Sequence, residues 1–220
     1  MNARNLINDT IPPLKLTDNG QKALNWMNEL HVYHLPVVNE NQYIGMVAEY
    51  DILDANDSQI PFKNYENPLA RQFVSEDSHI YEVLKTVNEQ RISVMPVLDE
   101  DDNYIGVITL ENLLDYFANA NSMQDPGGII ILEMSTNDYA LSEIAQILES
   151  NDTKALSMYV STYTDSTQME VTLKVNRTDL QPVIATFERY DYTIKASYQE
   201  DLYIEDLKEH FDSLMHYLNI

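Results

Sequence analysis

The sequence lacks cysteine altogether and holds five glycines and one tryptophan in 220 residues. Without cysteine there can be no disulfide bond, no thiolate catalysis and no zinc or iron–sulfur site built on thiolates. The apolar run Ile129–Leu132 is too short to span a bilayer, and Met1–Asn5 contains no apolar signal core. These absences predict a soluble, cytoplasmic protein.

Basic residues are also scarce. Lys and Arg together number 13 against 36 Asp and Glu, which gives a formal net charge of −23. Nucleic acids and anionic membranes are poor partners for such a surface, because both are bound through clusters of Lys and Arg. The acidity is typical of a soluble protein that repels its neighbours, and the other interpretation is an acidic face for a basic partner.

No catalytic or metal-binding motif is present. None of the five histidines forms a pair at i, i+4 spacing, and His210 and His216 lie on different faces of a predicted helix. Glycine-rich phosphate loops and nucleophile elbows are missing as well. The acidic stretch 99–103 resembles a calcium loop superficially, but Tyr104 stands where an EF-hand requires glycine. We expect the protein to have no enzymatic activity and to bind neither a metal ion nor a cofactor.

One stretch of the chain occurs twice. The first copy covers residues 34–54 and the second covers residues 94–115, with two apolar runs and a helix-type segment in each. Pro36 and Pro96 are 60 residues apart, whereas Gly45 and Gly106 are 61 apart. The extra residue falls in the polar segment between the two apolar runs, as a hairpin turn allows. Each glycine indicates close backbone packing or the approach of a ligand.

The repeat extends upstream through an amphipathic helix in each copy. Thr17-Asp18 and Asp77-Ser78 precede these helices and are predicted N-caps. The pattern predicts repeat one at about 3–55, a linker at 55–66 and repeat two at about 66–120. The helix residues expected to be buried are Ala23, Leu24, Met27, Leu30, Val83, Leu84 and Val87.

The helix, the apolar-Pro-Val-Val run and the later apolar-Gly-apolar-apolar-Thr-x-x-Asp pattern resemble the cystathionine β-synthase (CBS) domain. Two copies in register resemble a Bateman module covering residues 1–121. The resemblance implies a regulatory sensor whose cleft binds an adenosine-containing molecule such as AMP, ATP or S-adenosylmethionine. It also implies a homodimer and a regulated partner protein, which the sequence does not identify.

The break at Asp125–Gly128 separates this pair from a different pattern over residues 127–220. Strand-type and helix-type segments follow in the order βαββαβ, which predicts an α+β ferredoxin-like fold. The segment resembles an ACT-like domain, and the whole arrangement resembles acetoin-utilisation-type CBS proteins. The turn 135–138 lacks the glycine of amino-acid-binding ACT domains. The tail 204–220 predicts an amphipathic helix for core or dimer packing, or for partner recognition.

The family's Thr-x-x-Asp motif implies a phosphate contact by the hydroxyl and a ribose contact by the carboxylate. Repeat one has Ala48 and Asp51 at these positions, and repeat two has Thr109 and Asn112. A basic residue of the family corresponds to His34 in repeat one. We expect ligand contacts at His34, Asp51, Thr109 and Asn112, with the repeat-one site stronger.

Two alternatives to this site remain open. Asp51 near a helix start is also favoured by the helix dipole, and His34 also fits a polar strand edge. The protein is therefore either a ligand-sensing regulator or a ligand-free interaction module with degenerate clefts.

Overall fold

The computed structural model describes residues 1–8, 10–55, 58–65, 69–164 and 166–199. It divides into two compact units, the first comprising Met1–Tyr116 and the second beginning at Phe117. Across these described residues, every helix is too short or too polar to cross a membrane.

The first unit contains two three-stranded sheets, one from each repeat, with strand orders β1-β2-β3 and β4-β5-β6. In each sheet a short parallel strand flanks an antiparallel hairpin. Repeat one comprises β1 (Leu14–Lys15), α1 (Gly20–Leu30), β2 (His34–Asn39), β3 (Gln42–Ala48) and α2 (Glu49–Asp54). Repeat two comprises β4 (Val74–Ser75), α3 (Ile80–Gln90), β5 (Val94–Leu98), β6 (Tyr104–Thr109) and α4 (Leu110–Ala120).

Helices α1 and α3 bury the apolar faces that the sequence predicts. Ala23, Met27, Val83 and Val87 are buried, and the remaining predicted positions, Leu24, Leu30 and Leu84, are half-buried. A helix of 11 residues becomes stable in water mainly through such packing, since its intrinsic helical tendency is marginal. The predicted repeat architecture is confirmed in this respect.

The predicted helix caps at 17–18 and 77–78 are wrong by one or two residues. Asn19 caps α1, and His79 caps α3 through its ring nitrogen. The Asp18 carboxylate instead accepts the Lys15 backbone N–H at 2.9 Å, which closes the turn before the helix. Because that side chain is already engaged, the next residue with a suitable oxygen takes the cap.

The two hairpins of the first unit contact each other. The Tyr104 backbone N–H donates to the Asn41 carbonyl at 2.8 Å. Val38, Tyr43 and Leu98 form a buried cluster against Tyr104, and the two tyrosine rings stack with centroids 6.4 Å apart. These residues occupy equivalent places in the two repeats, so the hairpins are related by an approximate twofold axis.

The segment before each repeat crosses to the other repeat. The Asn8 backbone N–H donates to the Val107 carbonyl of repeat two at 2.8 Å, and Met46 of repeat one donates to the Ala70 carbonyl at 2.7 Å. Gly106 and Gly45 lie directly beneath these crossings, against Ile7 and Leu69 respectively. Close packing by the exchanged segment therefore explains both glycines.

The sequence predicts that residues 55–66 are a linker without a counterpart in the other repeat. In the structure, part of this stretch has a counterpart at the start of the chain. Phe62–Asn64 and Ala3–Leu6 are both 3₁₀ helices. The Lys63 N–H donates to the Leu16 carbonyl at 2.9 Å, and the Arg4 N–H donates to the Glu76 carbonyl at 3.0 Å. The two segments thus support equivalent places in the two repeats.

The second unit is an antiparallel sheet with two helices on one face, in the strand order β10-β7-β9-β8. Its elements are β7 (Gly128–Ser135), α5 (Leu141–Ser150), β8 (Ala155–Thr162), β9 (Gln168–Val175), α6 (Gln181–Arg189) and β10 (Thr193–Tyr198). The βαββαβ order and the strand arrangement confirm the predicted ferredoxin-like fold.

One face of this sheet and both helices enclose a single apolar core. Strand β7 alternates buried and half-buried residues along its whole length, as a sheet covered on one face requires. The core residues are Ile130, Leu132, Met134, Ile144, Ile147, Leu148, Met169, Val171, Leu173, Val175, Leu180, Val183 and Phe187.

One sequence prediction about this unit is wrong, and another concerns residues outside those described. No side chain caps α5, whose N-cap is Ala140, so the caps expected at 135–138 are wrong. Ser135 instead accepts the Asn137 N–H within the preceding turn. The predicted helix at 204–220 lies outside the described residues. Pro182 stands in the first turn of α6, as expected.

The crossing at Gly45 gives a testable prediction. A Cβ atom there would lie 2.6 Å from the Leu69 Cβ and 3.0 Å from the Ala70 carbonyl oxygen, so backbone must move. We expect Gly45→Ala to lower the free energy of unfolding by about 1–3 kcal/mol in urea titrations. Gly106→Ala should also lower it, because the added Cβ would lie 2.3 Å from Cγ2 of Ile7, a β-branched side chain with little freedom to turn away.

Both glycines have positive φ, 159° and 148°, so an alanine would be strained as well as crowded at either position. An unchanged free energy of unfolding in either variant would contradict this account.

Candidate functional site

His34 and Asp51 lie at the same end of the repeat-one hairpin. His34 begins β2 and stands opposite Ala48, the last residue of β3. Helix α2 starts at the next residue, and the Glu49 backbone N–H donates to the Tyr33 carbonyl at 2.9 Å. Asp51 is the third residue of this helix, so the hairpin and helix together bring its carboxylate toward His34.

The His34 ring connects the two repeats. The Ser93 backbone N–H donates to His34 Nδ1 at 3.2 Å, and the Ser93 Oγ lies 3.1 Å from the same nitrogen. The Ser93 hydroxyl also accepts the Tyr33 N–H at 2.9 Å. Since Nδ1 accepts a backbone N–H, the neutral ring carries its proton on Nε2. That N–H is the donor available to a ligand.

The environment of His34 keeps the imidazole neutral. Burial lowers the pKa of His34 below its ordinary value, and the Asp51 carboxylate opposes this shift in part. The two side chains do not form a salt bridge in the described structure. Asp51 is exposed, and its carboxylate makes no hydrogen bond with any described residue. It is therefore free to accept hydrogen bonds from a ligand.

Thr109 and Asn112 in repeat two are engaged with each other. The Thr109 hydroxyl donates to Asn112 Oδ1 at 2.7 Å and accepts the Asn112 backbone N–H at 3.1 Å. The Thr109 backbone N–H also donates to Asn112 Oδ1 at 3.2 Å. This is a reciprocal capping box at the start of α4, and it occupies most of the hydrogen-bonding capacity of the pair.

Repeat one lacks this cap. Ala48 precedes α2 without a side-chain hydrogen bond, and α2 has six residues whereas α4 has eleven. The two copies of the motif thus have different roles. Thr109 and Asn112 of repeat two stabilise a helix, whereas Asp51 of repeat one has an exposed carboxylate. This arrangement favours a hydrogen-bonding site for a diol or amine at Asp51, beside a neutral imidazole donor.

Ser93 and Tyr33 were not among the residues predicted from the sequence. Ser93 is 60 residues after Tyr33, the same spacing as Pro36 and Pro96, so the two occupy equivalent positions. The repeat spacing shows that the two positions are equivalent, but it does not show that they lie near the axis relating the repeats. The hydrogen bonds to His34 depend in addition on side-chain geometry.

The acidic turn at 99–103 is held by hydrogen bonds of its own. Asp99 accepts the backbone N–H groups of Asp101 and Asn103, at 2.9 and 2.8 Å, and the Asn103 side chain at 3.0 Å. These hydrogen bonds from Asn103 lower the pKa of Asp99. The residues for which coordinates are described contain no cluster of His, Asp and Glu suited to a metal.

Comparison with known proteins identifies the first unit. Residues 5–58 and 67–119 each match the CBS domain family. The chain is 23% identical over 135 residues to the inosine-5′-monophosphate dehydrogenase of Methanocaldococcus jannaschii, covering 60% of this chain and 27% of that protein. The chain therefore spans about a quarter of the length of this relative.

Two solved structures are similar to the chain over about half its length. A CBS domain pair/ACT domain protein from Thermotoga maritima is 22% identical, covers 55% of this chain and 98% of its own, and has a TM-score of 0.47. The protein CBSX2, solved in complex with AMP, is 18% identical, covers 54% and 96%, and has a TM-score of 0.46.

In this chain, residues 5–58 and 67–119 are two CBS domains in tandem. Its first unit is a CBS-pair regulatory module, and its second unit is ACT-like in strand order and helix placement.

The capping difference between the repeats can be tested by exchanging one residue. Thr109→Ala removes both hydrogen bonds of the hydroxyl and should lower the free energy of unfolding by about 0.5–2 kcal/mol. Ala48→Thr should raise it by a similar amount, because Asp51 stands at the position that completes a capping box. Urea titration measures both, with Thr162→Ala as an exposed control. Stabilisation by Thr109→Ala would contradict the assigned role.

The low pKa of His34 predicts a pH dependence of stability. The unfolded chain titrates His34 near 6.5 and the folded chain lower, so the unfolded state binds more protons as the pH falls below 6.5. Stability contributed by neutral His34 is complete above that pH and is lost as the pH falls through the folded pKa. Urea titrations at pH of about 7.5 and about 5.5 bracket this range.

His34→Gln should lose less stability on acidification than the wild type. His31→Gln, a change at an exposed histidine, serves as the matched control and should follow the wild type. An unchanged slope in His34→Gln would refute the assignment.

Proposed function

We propose that this protein is a non-catalytic regulator that binds an adenosine-containing ligand of the AMP, ATP or S-adenosylmethionine class in the repeat-one cleft. One observation carries the proposal: Asp51 is exposed and makes no hydrogen bond to any residue that the structure describes, next to a half-buried His34 with a donor to offer. A half-buried imidazole with a shifted pKa beside an exposed carboxylate is typical of ligand sites.

The chemistry of the two side chains matches different parts of such a ligand. A carboxylate has two acceptor oxygens and can receive hydrogen bonds from both hydroxyls of a ribose. The His34 Nε2–H can donate to a phosphate oxygen or to another acceptor. A bound phosphate would favour protonation of the imidazole, although a proton on Nδ1 would break the hydrogen bond from Ser93.

The charge around the cleft favours ligands with few phosphates. Residues 34–54 contain no Lys or Arg, and α2 carries Glu49, Asp51 and Asp54. Each additional phosphate would be repelled by these carboxylates, and residues 34–54 supply no cation to compensate. We therefore expect adenosine, AMP or S-adenosylmethionine to bind more tightly than ATP.

The second candidate function is a ligand-free interaction module. The capping box at Thr109 and Asn112 supports it, because those groups already have partners within the chain. Under this alternative, repeat two has exchanged ligand contacts for helix stability, and the clefts serve only to shape the surface. Its regulated or interacting partner is not defined by the residues described.

We also propose a homodimer in the cytoplasm. Leu53 on α2 and Leu114 on α4 occupy equivalent positions and are 63% and 69% exposed, and Tyr50 and Leu110 lie close to them in sequence and are exposed as well. Large apolar side chains repeated on two helices are more typical of a covered surface than of one facing water. A second copy could cover both helices through the approximate twofold axis.

The site assignment predicts the effect of removing the free carboxylate. Asp51→Ala should weaken binding of AMP or adenosine by about 1.5–3 kcal/mol, the scale of a charge-assisted hydrogen bond. Titration calorimetry measures the affinity, and Asp54→Ala, which removes another exposed acid from the same helix, is the matched control. Asn112→Ala should change the affinity little.

Two results would count against this function. Equal affinities for wild type and Asp51→Ala would remove Asp51 from the site. No heat and no thermal shift with adenosine, AMP, ADP, ATP or S-adenosylmethionine would favour the interaction module, since a ligand that binds only the native state raises its stability.

A further inference from the structure

The sheet of the second unit has two faces, and helices α5 and α6 pack against one of them. In β7 the buried core residues Ile130 and Leu132 alternate with the half-buried residues Ile129 and Ile131. Successive side chains of a strand point to opposite faces of a sheet. Ile129 and Ile131 therefore lie on the face that points away from α5 and α6, which we call the outer face.

The strand register shows which other residues share the outer face, because directly paired residues lie on the same side of a sheet. Ile131 pairs with Thr172 of β9, and Thr172 pairs with Tyr159 of β8. On its other side, Ile131 pairs with Ala196 of β10. The four residues form one row across the whole sheet. Thr172 is buried at its centre, whereas Tyr159 at its end is 56% exposed.

A second row lies next to the first, closer to the start of β7. Tyr198 of β10 pairs with Ile129, and Ile129 pairs with Lys174 of β9. Lys174 in turn pairs with Ser157, whose hydroxyl donates to the Asn121 carbonyl at 3.1 Å. The segment that follows α4 thus lies at the β8 end of this row. At the β10 end, Tyr198 is 59% exposed.

The other half of the outer face is polar. Glu133 pairs with Glu170, and Glu170 pairs with Ser161. The Glu170 carboxylate also binds the Lys195 ammonium. The apolar side chains are therefore confined to the end of the sheet where β7 begins and β10 ends. We call them the outer patch, which consists of Ile129, Ile131, Tyr159, Thr172, Ala196 and Tyr198. A contiguous apolar patch is typical of a surface that is covered in the working protein.

The chain leaves the sheet at this patch. Strand β10 ends at Tyr198, and residues 199–203 connect it to the tail 204–220, which the sequence predicts to be an amphipathic helix. A helix of that length would be about 25 Å long. The outer strands of a four-stranded sheet are about 14 Å apart, so the helix is long enough to cross the patch. Its apolar residues recur at spacings of three and four and form one stripe, comprising Ile204, Leu207, Phe211, Leu214 and Leu218.

Charge also favours the tail at this place. The Lys174 ammonium forms no salt bridge with any residue that the structure describes. Lys174 is two strands away from Tyr198, about 10 Å across the sheet. The first residues beyond Gln199 include four acids, Glu200, Asp201, Glu205 and Asp206. In a chain of net charge −23 most of the surface repels such a segment, whereas the outer patch has a cation beside it.

We propose that residues 204–220 form a helix that docks through its apolar stripe on the outer patch of its own chain. The sheet of the second unit is then covered by helices on both faces. The connection through residues 199–203 makes the docking intramolecular, so the tail is present at a high effective concentration without a partner.

The absence of cysteine makes the docking directly testable, because any introduced thiol is unique. Ile131→Cys places one in the outer patch, and its reaction with a maleimide is followed in the native full chain. Adding Phe211→Asp should raise the rate by about tenfold or more, because a charge in the stripe favours the undocked state. His216→Asp adds the same charge on the opposite side of the predicted helix and should leave the rate unchanged.

Ser197→Cys controls for general loosening of the sheet, because Ser197 is exposed and pairs with Ile130 on the other face. Its thiol should react at the same rate with and without Phe211→Asp, and thermal unfolding verifies the fold of each variant. If Phe211→Asp leaves the rate of Ile131→Cys unchanged, the docking is overturned, including the case in which another protein covers the patch.

A second experiment decides whose tail covers the patch. The double variant Ile131→Cys with Phe211→Cys is treated at low protein concentration with a flexible bifunctional maleimide. We expect a product of one chain, 25.4 kDa plus one linker by mass spectrometry. A product of twice the chain mass would place the tail on a second copy and overturn the proposal. Failure to form either product would overturn it as well.

Discussion

The contact between the two hairpins is the interaction on which the first unit depends. Val38, Tyr43, Leu98 and Tyr104 exclude water between the sheets, and the Tyr104–Asn41 backbone bond sets the twofold relation. Each antiparallel hairpin alone would be marginal, since two strands bury little surface and the third strand of each sheet has only two residues. The twofold relation also brings Ser93 to His34. The candidate site therefore depends on both repeats and not on repeat one alone.

Two copies of one fold have acquired different local chemistry with few substitutions. Threonine and asparagine close a capping box in repeat two, whereas repeat one has alanine in place of the threonine, no side-chain cap on α2 and an exposed aspartate carboxylate. In the same way, Val94 of repeat two is the equivalent of His34. The polar partner of His34 is Ser93, the residue before that valine. Under the proposed function, repeat two contributes stability at this position and repeat one contributes recognition.

The sequence was sufficient for the fold, because the patterns that define it are local. The apolar periods in 20–30 and 80–90, the hairpin turns and the βαββαβ order all correspond to described elements. The helix caps were misplaced, since Asp18 has a competing backbone donor in Lys15 that only geometry reveals.

The candidate site was less predictable. His34 and Asp51 do share one end of a hairpin, but the environment of His34 depends on a residue 59 positions away, and burial of the imidazole is not encoded by any short motif. Likewise, glycine is required at position 45 because the segment at Leu69 packs directly against it. Contacts between repeats require the three-dimensional arrangement.

The segment before each repeat packs against the other repeat, and this exchange has a consequence for the evolution of the protein. The boundaries of the sequence repeats differ from the boundaries of the packed halves. Residues 1–8 pack against repeat two, and residues 69–73 pack against repeat one. A substitution beneath either crossing therefore has its packing partner in the other sequence repeat. Deleting a single repeat would take away the segment that packs on the remaining hairpin, so one repeat alone lacks part of its own support.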